Sequence, residues 1–298
     1  MSGRSQTIEI FLPDGEPRGV RLASITTRIV QVIQAPRTNL AAFLDRSEAS
    51  RVALYFLVGT ADGTPKPALY IGQTEDLRGR LRSHNSGKDF WNSVVAITSR
   101  TDSFTQVHVR YLEWYCIQKA AEAKRYELVN ANGGGKPHIP EPLEADVLDA
   151  FETAATLLST LGLPIFEPVV SAVATGATKR VFSCRGPNAD GRGILVNDGF
   201  ALIEGSICRR QPVPSAATLV STTDEMIEAG LLAPIDAERL RLTEDYLCSS
   251  PSQAALIVLA RKANGWTEWK DERGETLDAV YRQEAECDGV GPLTEFAK

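Results

Sequence analysis

Apolar residues along this chain fall into two rhythms, and the switches between them predict its elements. Thr7 to Leu12 alternates as a strand and ends in the turn text Pro13-Asp14-Gly15-Glu16, and Ile25 to Ile33 is rich in β-branched residues. Thr38 or Asn39 starts a short helix carrying Leu40, Phe43 and Leu44. Two apolar runs follow, Ala53 to Gly59 and Ala68 to Gly72, joined by Asp62-Gly63 and Pro65, the pattern of a hairpin. Thr74 then caps a helix whose first turn holds Glu75 and Asp76 and whose buried stripe is Leu77 and Leu81. Arg80 and His84 are four apart and one step round, at the rim of that stripe. Phe90 to Thr98 reads as a third strand. Thr105 caps a long helix to about Lys124, with Leu112 and Cys116 inward and Glu113 at the edge of burial.

The run from Gly133 to Pro142 is a linker, flexible first and then stiffened by prolines. Leu143 to Leu161 is amphipathic, with Val147, Phe151, Ala154, Leu157 and Leu158 at helical spacing. Past Lys179 come short strands, Arg180 to Cys184 and Gly193 to Glu204, then helical text. Ser250-Pro251 opens a helix through Leu259, and Asn264 to Lys270 reads as a turn entering a strand with Trp266 and Trp269 on one face.

A chain of 298 residues forms two domains more readily than one. No apolar run is long enough to span a bilayer and the N-terminus has no secretory hydrophobic region, so a cytoplasmic protein is expected. The five cysteines are scattered and unpaired in spacing, which points away from a disulfide framework or zinc. The net charge of −6 hides an asymmetry: up to Gly135 there are 17 Lys and Arg against 13 Asp and Glu, and beyond it 15 against 25. The first part thus suits a phosphate backbone, and the acidic remainder suits restraint of non-specific binding or a protein partner.

The candidate chemistry lies in Tyr70 to His84, where Arg78, Arg80, Arg82 and Lys88 gather near a tyrosine hydroxyl, as a phosphodiester requires. With Ala53-Leu54-Tyr55 and Tyr70-Ile71-Gly72 on neighbouring strands, and Arg80 ten residues past the second tyrosine, this region resembles the GIY-YIG nuclease family. The first tripeptide departs from the family in starting with alanine, a position that supplies no side-chain chemistry. The resemblance runs from about Val52 to Asn132. It implies metal-dependent hydrolysis of DNA, with Tyr55, Tyr70, Arg80, His84 and Glu113 catalytic and Glu113 holding Mg²⁺ or Mn²⁺. It also implies a supporting asparagine, for which Asn130 and Asn132 both remain open, while Arg78, Arg82 and Lys88 are the expected substrate contacts. The general base stays open among Tyr55, Tyr70 and His84, since a free phenol titrates near 10 and a free imidazole near 6.5.

Ser249-Ser250-Pro251-Ser252 with the Asn-Gly-Trp and Trp-Lys-Asp text resembles an uncharacterised C-terminal domain that accompanies some bacterial GIY-YIG proteins. The expected fold class is α+β: a small antiparallel sheet flanked by helices at 51–135, a β-rich extension at 1–50, a linker and connecting helix at 136–178, and a second, acidic α+β domain at 179–298. The alternative function is a catalytically silent nucleic-acid-binding or protein-recruiting module on the same fold.

Overall fold

The computed structural model describes residues 5–130, 134–170, 180–213 and 219–283, and the chain divides into two compact units, Met1–Pro168 and Val169–Lys298. Both are α+β. Unit 1 contains β1 (Ile8–Phe11), β2 (Arg21–Ile25), β3 (Val30–Pro36), α1 (Leu40–Leu44), β4 (Ala53–Thr60), β5 (Pro67–Thr74), α2 (Leu77–Gly87), β6 (Trp91–Ser99), α3 (Gln106–Ala123), β7 (Glu127–Leu128) and α4 (Glu141–Thr160). Its strands form one sheet in the order β1-β2-β3-β6-β4-β5-β7, antiparallel except where β7 runs parallel to β5. The strands of residues 1–50 are therefore part of the same sheet, with β3 paired to β6 from Val30↔Ser99 to Pro36↔Ser93.

β4 lies inside the sheet between β6 and β5, and its residues from Ala53 to Val58 are all buried. A strand covered on both faces has no need of a polar alternation, which is why its sequence is nearly continuously apolar. Leu54, Phe56 and Val58 point to the side covered by α3 and α4, while Tyr55 and Leu57 share a core with Leu77 and Leu81 of α2 and with Phe43 of α1. α4 supplies Val147, Ala150, Ala154, Leu157 and Leu158 to the first of these cores, so the helix after the linker completes unit 1. A further clamp holds the linker: Tyr111 and Lys136 both donate to the Glu144 carboxylate, and the Lys136 ammonium lies over the Tyr111 and Trp114 rings.

The boundary after Pro168 changes the charge picture. Unit 1 carries 18 Lys and Arg against 19 Asp and Glu, and unit 2 carries 14 against 19. Half of the net negative charge beyond Gly135, 6 Asp and Glu against Lys136, lies on α4 and its flanks, which belong to unit 1.

Unit 2 contains β8 (Phe182–Gly186), β9 (Ala189–Val196), β10 (Gly199–Leu202), β11 (Ile207–Arg209), α5 (Leu219–Glu228), β12 (Leu232–Pro234), β13 (Arg239–Leu242), β14 (Tyr246–Cys248), α6 (Pro251–Leu259) and α7 (Gly265–Glu268). β9 pairs with β8 on one edge and with β10 and β11 on the other. α6 packs on one face of this sheet, where a Cβ at Gly191 would strike Val258. Cys184, Cys208 and Cys248 are buried on that side with Phe200 and Leu240. Burial pushes the thiols of Cys184 and Cys208 up to about 12, so they pack as small apolar groups.

The strand expected at Asn264 to Lys270 is instead a helical turn. The Asn264 side chain accepts from Trp266 N at 3.1 Å and caps it. The two tryptophans consequently part company. Trp269 is fully buried and donates from Nε1 to the Pro251 carbonyl at 2.9 Å, while Trp266 is half-buried beneath the Arg282 guanidinium, 3.7 Å from its ring centre. Among the described residues no helix is long and apolar enough to cross a membrane.

Candidate active site

The hairpin of β4 and β5 brings the two tyrosines onto one face of the sheet. Tyr55 pairs with Gly72 and Leu57 with Tyr70, so the tyrosines sit on diagonal positions, their rings 6.1 Å apart and 28° from parallel. Gly72 makes this possible, because a Cβ there would lie 2.5 Å from Tyr55 Oη and 2.9 Å from the Tyr70 ring. The third residue of the Tyr70-Ile71-Gly72 motif is thus the floor on which the first tyrosine lies.

α2 returns across this face. Its cap is Asp76, where Thr74 was expected: the Asp76 carboxylate accepts from Gly79 N at 3.0 Å, and Thr74 Oγ1 closes the preceding turn by accepting from Asp76 N and donating to Asp76 O. A carboxylate is well suited to the exposed N–H groups of a first turn, and moving the start to Leu77 sets the phase of everything after it. Leu77 and Leu81 are buried, and so is His84, only 6% exposed.

The three groups meet at one atom. Arg80 Nε donates to Tyr55 Oη at 3.0 Å, and Tyr55 Oη lies 2.8 Å from His84 Nε2. An arginine can only donate, so Tyr55 accepts from Arg80, while the direction of the Tyr55–His84 bond is set by the imidazole tautomer. Burial is the largest influence on Tyr55 and pushes its phenol above the ordinary value, against the lowering effect of Arg80. Burial also depresses His84, and the positive charges of Arg80 and Lys88 add to this, bringing it down to about 4. The imidazole is therefore neutral at pH 7. Arg80 is raised, chiefly by its hydrogen bond to Tyr55. Its Nε is committed inward and Tyr70 also takes part in holding it, while the side chain as a whole is exposed.

Tyr70 is half-buried, unlike Tyr55, and Lys88 Nζ lies 4.5 Å from the centre of its ring. Glu113 comes from α3, on the opposite side of the sheet, takes a hydrogen bond from the Gln73 backbone near the end of β5, and lies within electrostatic reach of Arg80. It is half-buried. Desolvation raises its pKa, while the Gln73 bond and the charges of Arg80 and Arg110 oppose the rise. On the edge of β5, Asn130 Oδ1 accepts from Ile71 N at 3.0 Å and its Nδ2 donates to Ile71 O at 2.6 Å. The asparagine thus continues the β7 pairing by one step.

Of the residues singled out from the sequence, Tyr55, Tyr70, Arg80, His84 and Lys88 come together, Glu113 lies within electrostatic reach of Arg80, and Asn130 braces the edge of β5. Arg78 is turned elsewhere, donating to the carbonyls of Leu44 at 2.8 Å and Arg46 at 3.4 Å. Arg82 is exposed on α2. Asn132 lies outside the described residues. Gln73 and Arg110 escaped sequence reasoning, and Asp76 was legible as a first-turn carboxylate but not as the cap. Arg110 alone had a visible signal, its position three residues before Glu113 on the same helix.

Residues 64–131 match the family model of the GIY-YIG catalytic domain, and residues 182–281 match that of a domain of unknown function, DUF4357. The chain thus carries a region like the catalytic domain of the GIY-YIG nuclease family, followed by an uncharacterised domain on its C-terminal side. No curated protein and no solved structure matches it.

A divalent ion fits the residues present. Glu113 offers a partly desolvated carboxylate, and among the described residues no cluster of three ligating side chains surrounds it. Such a site provides one oxygen ligand group and leaves the other positions to water and phosphate, the habit of Mg²⁺ and Mn²⁺.

Proposed function

We propose that this chain is an endonuclease that hydrolyses DNA phosphodiester bonds with Mg²⁺ or Mn²⁺ held at Glu113. The observation that carries the reading is the bond from Arg80 Nε to Tyr55 Oη, which holds an arginine from behind, next to Tyr70 and within electrostatic reach of Glu113. Bound there, the ion would supply Lewis-acid stabilisation of charge on the phosphate oxygens. Arg80 neutralises the charge that grows on the scissile phosphate, through nitrogens whose direction is set in advance. Tyr55 and His84 are positioning residues in this scheme. Neutral His84 holds the Tyr55 hydroxyl, which keeps a lone pair for Arg80. Tyr70, the more open of the two tyrosines, orients the attacking water, and Lys88 over its ring contacts the substrate strand.

The reading is tested by incubating the purified full chain with supercoiled plasmid in Mg²⁺, Mn²⁺ or EDTA. Nicking that requires the ion and is lost in Glu113→Ala is the expected result. Nicking that persists unchanged in that variant removes Glu113 from the reaction.

A further inference from the structure

The domain of unknown function has a face that its overall charge conceals. In the unit 2 sheet, Cys184, Cys208 and Leu240 point toward α6, so the alternate residues of β8, β9, β11 and β13 point the other way. The cross-strand partners on that second side are Ser183↔Arg192, Arg185↔Asp190, Ile207↔Asp190, Ile207↔Arg241 and Arg209↔Arg239. Arginine occupies five of these positions and a carboxylate only one. Arg185, Arg192, Arg239 and Arg241 are exposed and Arg209 is half-exposed. Lys270, also exposed, is bridged to Ser183 at the β8 edge and extends the same face.

Neighbouring acids neutralise part of this charge. Arg185 pairs with Asp190 at 3.2 Å and Arg239 with Asp236 at 2.7 Å. Among the described residues no carboxylate pairs with Arg192, Arg209 or Arg241, although Arg192 Nη2 lies 3.5 Å from the Glu204 carbonyl. Placing Arg209 directly opposite Arg239 also works against the sheet, because like charges across a ladder repel. A solvated sheet face needs only polarity, which threonine or mixed charges would supply. Planar guanidinium groups facing solvent match phosphate oxygens specifically, two N–H groups to two oxygens.

We propose that this face is a second contact surface for the DNA backbone, carried by unit 2 and independent of the cleft in unit 1. The row from Arg241 through Ile207 and Asp190 to Arg185 crosses four strands, a span of about 14 Å at the usual strand spacing. That is roughly the rise of four base pairs of duplex. The contacts read charge and spacing and carry no base specificity. Tethering such a surface to the nuclease-family unit raises the local concentration of substrate for it, and a net negative unit tolerates this because charges beyond about 8 Å are screened at physiological salt. The proposal rests on DNA being the substrate of this chain.

Binding of the full chain to a fluorescent 20-base-pair duplex is measured across a salt series in EDTA, so that cleavage plays no part. The variant Arg209→Glu/Arg241→Glu is compared with Lys262→Glu/Arg273→Glu, which changes the net charge equally at exposed positions outside the strands. The neutral pair Arg209→Gln/Arg241→Gln guards against misfolding, and thermal transitions confirm that each variant is folded. The expected result is a loss of roughly tenfold or more at low salt for the first variant, with the salt slope reduced by about two, and an unchanged slope for the control.

Wild-type affinity and slope in Arg209→Glu/Arg241→Glu overturn the platform and leave the nuclease reading standing, since plasmid nicking with Mg²⁺ is scored separately. Equal losses in both charge-reversed variants reduce the effect to net charge and also overturn it. Retention of the wild-type chain on poly-glutamate resin that is lost in Arg209→Glu/Arg241→Glu, with DNA binding intact, overturns the DNA platform and assigns the face to an acidic protein instead.

Discussion

Gly72 lies opposite Tyr55 across the β4–β5 ladder, and the Tyr55 hydroxyl occupies ground 2.5 Å from where a side chain at 72 would begin. Gly72→Ala therefore displaces the tyrosine and with it the atom on which Arg80 and His84 converge. The expected cost is about 1–3 kcal/mol of stability from overpacking, with a larger proportional loss of nicking than of folded protein. Urea unfolding alongside the plasmid assay checks this, and full activity in a folded variant would show that Tyr55 need not stay in place.

Tyr55→Phe keeps the ring and removes only the hydroxyl. It leaves the buried His84 Nε2 without its hydrogen-bond partner, a loss of roughly 1–3 kcal/mol, and frees the Arg80 guanidinium to wander. Cleavage should fall mainly in kcat, while affinity for DNA in EDTA stays near wild type, because Arg80 keeps its charge. A loss confined to binding would place Tyr55 outside the positioning of Arg80.

Arg80→Lys retains the positive charge but cannot bond Tyr55 through Nε while presenting further nitrogens to a phosphate. A drop of about 10²–10³-fold in the nicking rate is expected, the size seen when one aimed electrostatic donor is lost. Near-normal rates would mean that charge alone suffices at this position.

His84 gives the fold a pH signature. Its imidazole titrates near 4 in the folded chain and near 6.5 when unfolded, so unfolding takes up a proton between these values. Stability should decline as pH falls from about 6.5 toward 4, with no contribution from His84 above that window. Carboxylates titrate in the same range, so the informative quantity is the difference in Tm between wild type and His84→Gln: it should narrow on acidification. A constant difference from pH 7 to 4.5 would contradict a depressed imidazole.

α4 lies outside residues 64–131, yet Leu157 is fully buried in the core beneath the sheet. Leu157→Ala should cost about 2–5 kcal/mol, and a chain ended near Gly135 should expose that core and aggregate. One ended near residue 170 keeps unit 1 whole. Comparing the solubility and thermal transition of the two truncated chains decides whether α4 is part of the unit or a detachable arm.

The residues themselves determined the local elements of unit 1: the β4–β5 hairpin, the helix carrying Arg80 and His84, and the long helix carrying Glu113 were all legible. Hydrophobic period and turn chemistry act within a few residues, and there the text is explicit. The cap at Asp76 and the helical turn at Trp266 were not, because Thr74 and Asn264 had competing hydrogen-bond options that only the finished geometry selects. Nor could residue types reveal that Glu113 would meet the Gln73 backbone near the end of β5, that Asn130 would brace the edge of that strand, or that Arg78 would turn to the end of α1. These outcomes depend on strand order, which places β7 beside β5 and leaves Gln73 N–H open. The unit boundary was equally hidden, since α4 joins unit 1 through apolar contacts far apart in sequence. The arginine face of unit 2 belongs to the same class. Its members lie as far apart as Arg185 and Arg241 and are outnumbered by acids along the chain, and only the pairing of β8, β9, β11 and β13 brings them to one side of a sheet.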